Sequence, residues 1–219
     1  MELYEIYQVK VAACDERIAV VLERMKDAHP APPPALPPPR YKRPQACEPG
    51  IPVREALHAI LGVDLTQIHG IGPYLAFKLV SECAWPTSKH FTSWLSLAPH
   101  NKISGGKVLS SRARCSCSRV AALLRLAATA VGRTQTALGA FYRRSAFRIG
   151  KAKAVAATAR KIAVLIYNAL RHRMDYACPG ASYYEERYRQ RVLSNVRPRA
   201  KSFAYALQRM EPTPAAAVS

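Results

Sequence analysis

The residues of this chain best suited to chemistry are a serine and the glycines and lysines around it. Ser104 is followed by Gly105 and Gly106, and Lys102 and Lys107 flank the three. Glycines let a phosphate approach, while nearby cations lower the cost of a serine alkoxide and stabilise charge that develops on phosphorus. The pattern fits a nucleophilic serine, although on composition alone a solvated loop serine is the more common case. The segment lacks the Gly-x-x-x-x-Gly-Lys spacing of a nucleotide P-loop.

A glycine hairpin earlier in the chain is the second candidate site. Ile68, Gly70, Ile71, Gly72 and Pro73 follow the pattern apolar-x-Gly-apolar-Gly-Pro, the signature of a helix-hairpin-helix. Such a turn brings backbone amides to its surface, and the next helix adds the positive end of its dipole. We therefore expect Gly70, Ile71 and Gly72 to bind a DNA phosphate, a contact that reads no base and weakens with salt. The alternative is a turn that only joins two helices.

Arginines that follow the serine segment are further candidates for phosphate contacts. Arg119 and Arg125 lie six residues apart on a predicted helix and point to different sides, so at least one of them faces outwards. The alternative is that these side chains are merely solvated. The predicted contacts are Arg112, Arg114, Arg119 and Arg125.

A later basic run offers more backbone contacts. It contains aromatic residues, of which Tyr142 and Phe147 are candidates to stack on bases, although such residues more often belong to the core. The cations of the run are Arg143, Arg144, Arg148, Lys151, Lys153, Arg160 and Lys161.

The distribution of charge indicates a polyanionic partner. No Asp or Glu occurs between Cys83 and Met174, while 17 Lys and Arg occur in these 92 residues. The formal charge of +19 and the pI near 10.1 are typical of nucleic-acid-binding proteins. A basic surface without a specific ligand is the alternative. We expect no membrane partner, because the cations are spread over several segments and no run of 18 apolar residues occurs.

No metal site is predicted from these residues. Among the six cysteines the close pair is Cys115 and Cys117, and one intervening residue is too few for a zinc knuckle. We read the cysteines as free thiols of a reducing cytoplasm. Nucleases that use two Mg²⁺ ions need several carboxylates, and the remaining candidate acids lie on or beside predicted packing segments and form no acidic cluster. These acids are Glu48, Glu55, Asp64 and Glu82.

The spacing of apolar residues predicts an all-α fold with four parts. Residues 1–28 form an N-terminal helix with a face for a partner helix or a coiled coil, and residues 29–50 form a proline-rich basic linker. The main helical domain covers residues 51–195. Residues 196–219 form a C-terminal helix and a disordered tail.

Within the main domain, local signals predict where helices begin and end. Ser118 is the expected N-cap of one helix and Gly132 its C-terminal residue. The helix over 88–97 should bury Phe91, Trp94 and Leu95, and residues 101–111 form a loop or short hairpin. The remaining helices are predicted over 53–61, 74–81, 118–131, 136–148 and 151–174, with two weaker ones over 183–192 and 199–208.

Four blocks in order resemble the C-terminal domain of insertion-sequence transposases of the IS110, IS116 and IS902 class. They are IHGIGPYLAFKLVSE, FTSWLSLAPHNKISGGKVLSSRAR, RVAALLRLAATAVG and LGAFYRRSAFRIGKAKAVAATARKIAVLIYNAL, and the likeness extends from about residue 50 to about residue 195. The resemblance implies a DNA recombinase in two parts. A RuvC-like domain binds Mg²⁺ through four acids, and the C-terminal domain supplies a serine that becomes joined to DNA. It also implies a guide RNA and oligomers that bring two DNAs together.

The family's serine in its Ser-Gly-Gly block matches Ser104, with Gly105 and Gly106. Its basic residues match Lys107, Arg112 and Arg119, and its hairpin glycines match Gly70 and Gly72. The chain departs from the family in three places. A RuvC-like domain is missing, since residues 1–28 resemble only the segment that joins the two domains. Residues 82–85 are shorter than usual, and residues 114–118 are less polar.

The expectation is a truncated, cytoplasmic, nucleoid-associated transposase domain that binds DNA and is inactive alone. Its serine chemistry would need a RuvC-like partner in trans, which would bring the Mg²⁺ as cofactor. A guide RNA, further copies of the chain and a full-length transposase are the other expected partners. The alternatives are a non-enzymatic basic DNA-binding protein that inhibits an intact transposase, and an inert gene remnant.

Overall fold

The computed structural model describes residues 2–27, 35–40, 50–81, 85–115 and 118–208, and these ranges are helical apart from one short β-hairpin and the connections. The predicted all-α class is thereby confirmed. The helices are α1 (Glu2–Asp27), α2 (Val53–Leu61), α3 (Pro73–Ser81), α4 (Ser88–Trp94), α5 (Arg119–Val131), α6 (Ala137–Ile149), α7 (Lys151–His172) and α8 (Gly180–Ser202). The strands are β1 (Lys102–Ser104) and β2 (Lys107–Ser110), and one 3-10 turn covers Leu65–Gln67.

Helix α7 lies at the centre of the fold, because it packs against α4, α5 and α6. Its buried side chains recur every three or four residues, so that one face of the helix is apolar. Thr158, Ile162 and Ile166 on this face have no exposed surface. The alanines between them let neighbouring helices approach closely.

Local capping explains several helix limits. The Ser118 hydroxyl accepts a hydrogen bond from the Ala121 amide, which confirms the predicted N-cap of α5. Gly132 directly follows the last residue of this helix and has a right-handed conformation (φ −54°). A Cβ at Gly132 would lie 2.6 Å from the Tyr142 ring, so the glycine is needed for packing.

Two predictions about buried and helical residues were wrong. Trp94 does not lie on the buried face of α4 with Phe91 and Leu95, since its side chain is 41% exposed. Its ring lies 5.3 Å from that of Trp85. The two weaker C-terminal helices are one helix, α8, which runs through Pro198 and through the predicted boundary at residue 195. A proline removes one backbone donor, and a long exposed helix tolerates that loss near its end.

The N-terminal segments pack onto the main domain. Leu22 of α1 is buried, and the Gly50 amide donates to the Asp15 carboxylate at 3.1 Å. Part of the proline-rich segment packs there too, since Arg54 donates to the Pro37 carbonyl at 2.6 Å and Arg40 to the Gln67 carbonyl at 2.6 Å. The rest of that segment and the tail after residue 208 lie outside the described residues. No helix among those described is long and apolar enough to cross a membrane.

Candidate nucleic-acid interface

Ser104 lies at the tip of the β1–β2 hairpin, which we term the serine hairpin (residues 102–110). The two strands pair antiparallel, with Ser104 opposite Lys107 and Lys102 opposite Ser110. Gly105 and Gly106 form the turn with φ of 54° and 73°. A two-residue hairpin turn with φ positive at both positions follows the twist of the strands and strongly favours glycine. The predicted loop or short hairpin is therefore a hairpin, and its register fixes the neighbours of the serine.

The register places Lys107 on the same face as the serine. Residues directly opposite one another across a ladder share a face, whereas a register irregularity between Lys102 and Ile103 interrupts the regular alternation before Lys102. Lys107 thus lies beside Ser104 across the ladder. Opposite positions of this kind have Cβ atoms about 5 Å apart. The other face carries Ile103 opposite Val108, both more than half exposed.

The tip of the serine hairpin projects away from the rest of the molecule. A Cβ added at Gly105 or Gly106 would meet no atom within 4 Å, and residues 101–109 are all exposed. The base of the hairpin is anchored by a bridge between Pro99 and Ala113 and by the His100 amide, which donates to the Arg112 carbonyl at 3.3 Å. A large substrate such as DNA can therefore reach Ser104 without a change of fold.

The predicted arginines flank the base of this hairpin in sequence and differ in exposure. Arg112, Arg114 and Arg119 are exposed, and Arg125 is half-buried. Arg119 begins α5 and Arg125 lies in its second half, so the helix presents them differently, as their spacing predicts. The exposed guanidinium groups of Arg112, Arg114 and Arg119 can reach a phosphate.

The glycine hairpin (residues 68–73) packs against α5. A Cβ at Gly70 would lie 2.9 Å from the Ala127 carbonyl and 2.9 Å from Val131, and its φ is +88°. Ile71 has no exposed surface, and its amide donates to the Ile68 carbonyl at 3.1 Å. Gly72 is buried as well. Packing thus accounts for the glycine at position 70 and for the apolar residue at 71, and DNA binding by this turn stays a prediction.

An ionisable cluster next to the glycine hairpin was not foreseen from sequence. The His69 ring lies 6.4 Å from the Tyr176 ring, and its buried Nδ1 atom has no hydrogen-bond partner among the described residues. Burial lowers the pKa of His69 to about 4, and the positive charge of Arg40 adds to this effect. Burial raises the pKa of Tyr176. Both groups are therefore neutral at pH 7.

The carboxylates in the described part of the chain do not fit a two-metal site. No group of three or more His, Cys, Asp or Glu side chains lies close enough there to hold a metal ion. Asp64 is engaged structurally, since it accepts hydrogen bonds from Arg54, Thr66 and Gln67. Glu55 is exposed on α2. We derive no metal-dependent step from these residues.

The described cations form few ion pairs with acids. Two pairs occur in the described ranges, Arg54 with Asp64 and Lys26 with Glu23. The positive charge of α5, α6 and α7 is thus left uncompensated by carboxylates among these residues, and it is available to a polyanion.

Comparison with known proteins shows that one part of this chain is similar to a known family. The family model described as Transposase, IS116/IS110/IS902 family, matches residues 63–143. The match includes the glycine hairpin, the serine hairpin and all four predicted arginines. No curated protein and no solved structure shows a significant match.

Proposed function

We propose that the chain, whose residues 63–143 are similar to this family of transposases, binds DNA and presents Ser104 as the nucleophile of strand transfer. The observation that supports this role best is the register of the serine hairpin. It places the serine at an exposed tip with Lys107 directly opposite. A phosphodiester can therefore reach the hydroxyl while a cation lies beside it.

The proposed chemistry joins the serine to DNA. The Ser104 Oγ gives up its proton and bonds to a backbone phosphorus, a phosphorus–oxygen bond of the DNA breaks, and the leaving DNA oxygen takes up a proton to become a free hydroxyl. Lys102 and Lys107 stabilise the charge that develops on the phosphoryl oxygens. The acids of a RuvC-like domain would come from outside the described residues, and with them the Mg²⁺ that the resemblance implies.

Binding is proposed to be electrostatic and independent of sequence within this segment. Arg112, Arg114 and Arg119 extend the positive surface from the base of the serine hairpin onto α5. Lysine and arginine contacts to phosphates release counterions, so the affinity should fall steeply with salt.

The lysine contribution is tested by the salt dependence of duplex binding. The double substitution Lys102→Ala with Lys107→Ala should lower the slope of log affinity against log salt by roughly 2, since each lost phosphate contact is worth about 0.9. The control is Lys10→Ala with Lys26→Ala, which removes the same charge from α1. An equal loss of slope in both variants would show that net charge alone, and not the serine hairpin, governs binding.

The nucleophile is tested by recombination assays with an intact transposase that supplies the acids. Ser104→Ala should leave the DNA affinity nearly unchanged and abolish joining of this chain to DNA. Ser110→Ala is the matched control, because Ser110 lies on the same hairpin opposite Lys102. Joining that survives in Ser104→Ala and is lost in Ser110→Ala or Ser111→Ala would assign the nucleophile to one of those residues.

A second candidate function is DNA binding without cleavage, which would inhibit an intact transposase by occupying its sites. The observation that favours it is the lack of a carboxylate cluster in the described ranges. The purified chain should then bind duplex DNA, leave it uncut in Mg²⁺, and lower the activity of an intact transposase in a mixture. Cleavage by the chain alone would exclude this candidate.

A further inference from the structure

A second positive surface lies on α6, α7 and α8, away from the serine hairpin in the chain. We term it the α6–α8 face and define it by Arg144, Phe147, Arg148, Lys161, Arg187 and Arg191. We propose that this face binds an unpaired nucleic-acid strand, with its phosphates on the cations and a base stacked on Phe147. The inference goes beyond the function proposed above and does not depend on Ser104.

Three helices bring these cations together around a group of aromatic rings. The Arg144 guanidinium of α6 lies 3.6 Å from the centre of the Tyr188 ring of α8. The Lys161 ammonium of α7 lies 3.9 Å from the centre of the Phe141 ring and 5.8 Å from that of Tyr184. The Phe141 and Tyr184 rings are themselves in edge contact at 6.1 Å. The rings thus hold cations of α6 and α7 against α8.

Electrostatic effects place the remaining arginines in the same group. Burial lowers the pKa of Lys161, and the positive charges of Arg191 and Arg187 lower it further. Burial raises the pKa of Tyr184, while Arg144, Arg191 and Arg148 act in the opposite direction. The repulsion between like charges at close range becomes weaker when an anion binds between them.

Carboxylates do not neutralise this group among the described residues. Two acids of α8, Glu185 and Glu186, line a groove of about 520 Å³ together with Arg144, Tyr188 and Arg189. Neither acid forms an ion pair there. Glu186 instead accepts a hydrogen bond from Gln190 at 3.3 Å. A guanidinium that stacks on a ring keeps the N–H groups at its edge free for phosphate, so Arg144 can do both.

Phe147 distinguishes this face from a general phosphate-binding surface. Its side chain is 96% exposed, whereas Tyr142 one turn earlier packs against Gly132. It follows Arg144 by three residues on the same helix, so the Arg144 side chain is its neighbour on the helix surface. An exposed aromatic ring among cations is the arrangement that proteins use to hold single strands, because every base offers a face for stacking.

The same ring argues against a duplex as the ligand of this face. In a duplex both faces of each base are covered by its neighbours, so a side chain cannot stack on it unless the base is first extruded. An unpaired strand exposes its bases and carries the same phosphates. Single-stranded DNA and RNA share this chemistry, and binding assays with each can tell them apart.

The test measures binding of the full chain to fluorescently labelled oligothymidylate, oligouridylate and a DNA duplex. Phe147→Ala should weaken binding of at least one single strand about 5- to 150-fold, the range expected for loss of one base–aromatic stack, and should leave duplex binding within twofold. Phe147→Trp should restore single-strand binding. Leu126→Ala is the control, because Leu126 is an exposed apolar residue of α5. Each substitution is at the surface, so folding should not be affected.

The cations are tested separately from the ring. Arg187→Ala with Arg191→Ala should flatten the salt dependence of single-strand binding more than the control Lys10→Ala with Lys26→Ala does. If Lys102→Ala with Lys107→Ala left duplex binding unchanged, the function proposed above would be refuted and this inference would stay intact. Single-strand binding that is unaffected by Phe147→Ala, or that falls in parallel with duplex binding, would overturn the inference.

Discussion

Arg54 and Asp64 form a buried ion pair that joins α2 to the 3-10 turn before the glycine hairpin. The guanidinium donates to the Asp64 carboxylate at 2.6 Å, and the two side chains are 11% and 2% exposed. The same guanidinium donates to the Pro37 carbonyl, so it also attaches the proline-rich segment. Burial opposes ionisation of Asp64, but hydrogen bonds from Arg54, Thr66 and Gln67 outweigh it, and the pKa of Asp64 is lowered.

Breaking this pair should destabilise the fold strongly. Asp64→Asn leaves a buried guanidinium without its counter-charge, and removal of one partner of a buried pair typically costs about 3–5 kcal/mol. Chemical denaturation at pH 7 measures the change in the free energy of unfolding. The exposed pair of Glu23 and Lys26 is the control, and Glu23→Gln should change stability by less than about 0.5 kcal/mol. Equal effects of the two substitutions would contradict a structural role for Asp64.

His69 should make stability depend on pH between about 6.5 and 4. The ordinary pKa of 6.5 falls to about 4 in the folded protein. As the pH falls through this window, the unfolded chain therefore takes up a proton that the folded chain does not, which favours unfolding by at most roughly 3 kcal/mol. His69→Phe should reduce the slope of melting temperature against pH in this window. The contribution of Asp64, whose pKa is lowered from 3.8, is lost only below that value. A slope that is unchanged in the variant would exclude His69 as its source.

Gly70→Ala should cost more stability than Gly62→Ala. Both glycines have positive φ, so an alanine at either position carries a backbone strain of about 1–2 kcal/mol. At Gly70 the new Cβ also meets the Ala127 carbonyl at 2.9 Å, whereas at Gly62 it meets nothing within 4 Å. The difference between the melting temperatures of the two variants measures how much the packing of the glycine hairpin on α5 contributes to stability. Identical melting temperatures would show that α5 can move away without cost.

Helix α1 should mediate self-association. Its side chains Leu3, Ile6 and Val9 recur every three residues and are all more than half exposed. A contiguous apolar stripe of this kind usually meets a partner. Sedimentation velocity over a concentration series should show an oligomer that Ile6→Lys with Val9→Lys dissociates. Gln8→Lys, which adds charge at another position of the helix, should not. A chain that stays monomeric at all concentrations would contradict this prediction.

The local sequence was sufficient to predict a helix end where that end depends on residues nearby in the chain. Helix α3 begins at Pro73 and α6 ends at Ile149, each one residue from the predicted limit, and Ser118 is the predicted cap. The residues at these helix ends act through atoms within a few residues of themselves. The predicted gap between residues 192 and 199 was wrong, because α8 continues through Pro198.

Contacts between distant segments could not be read in this way. Trp94 has the helical spacing of a core residue, but its ring packs beside that of Trp85 and stays 41% exposed. From the sequence, the segment that carries the cations of α8 is predicted only as two weak helices. These cations form a surface only because α8 packs beside α6 and Arg144 stacks on Tyr188. The closely spaced tyrosines and arginines of residues 183–191 were the one signal that pointed to them.

The sequence by itself determined the helical class, the excess of positive charge and the resemblance that singles out Ser104, because periodicity, charge and short motifs are properties of neighbouring residues. Only the tertiary structure decided that Lys107 lies opposite Ser104, that Gly70 serves packing on α5, and that Phe147 is exposed. These are relations between segments, and strand register and helix packing set them through contacts that no local pattern encodes.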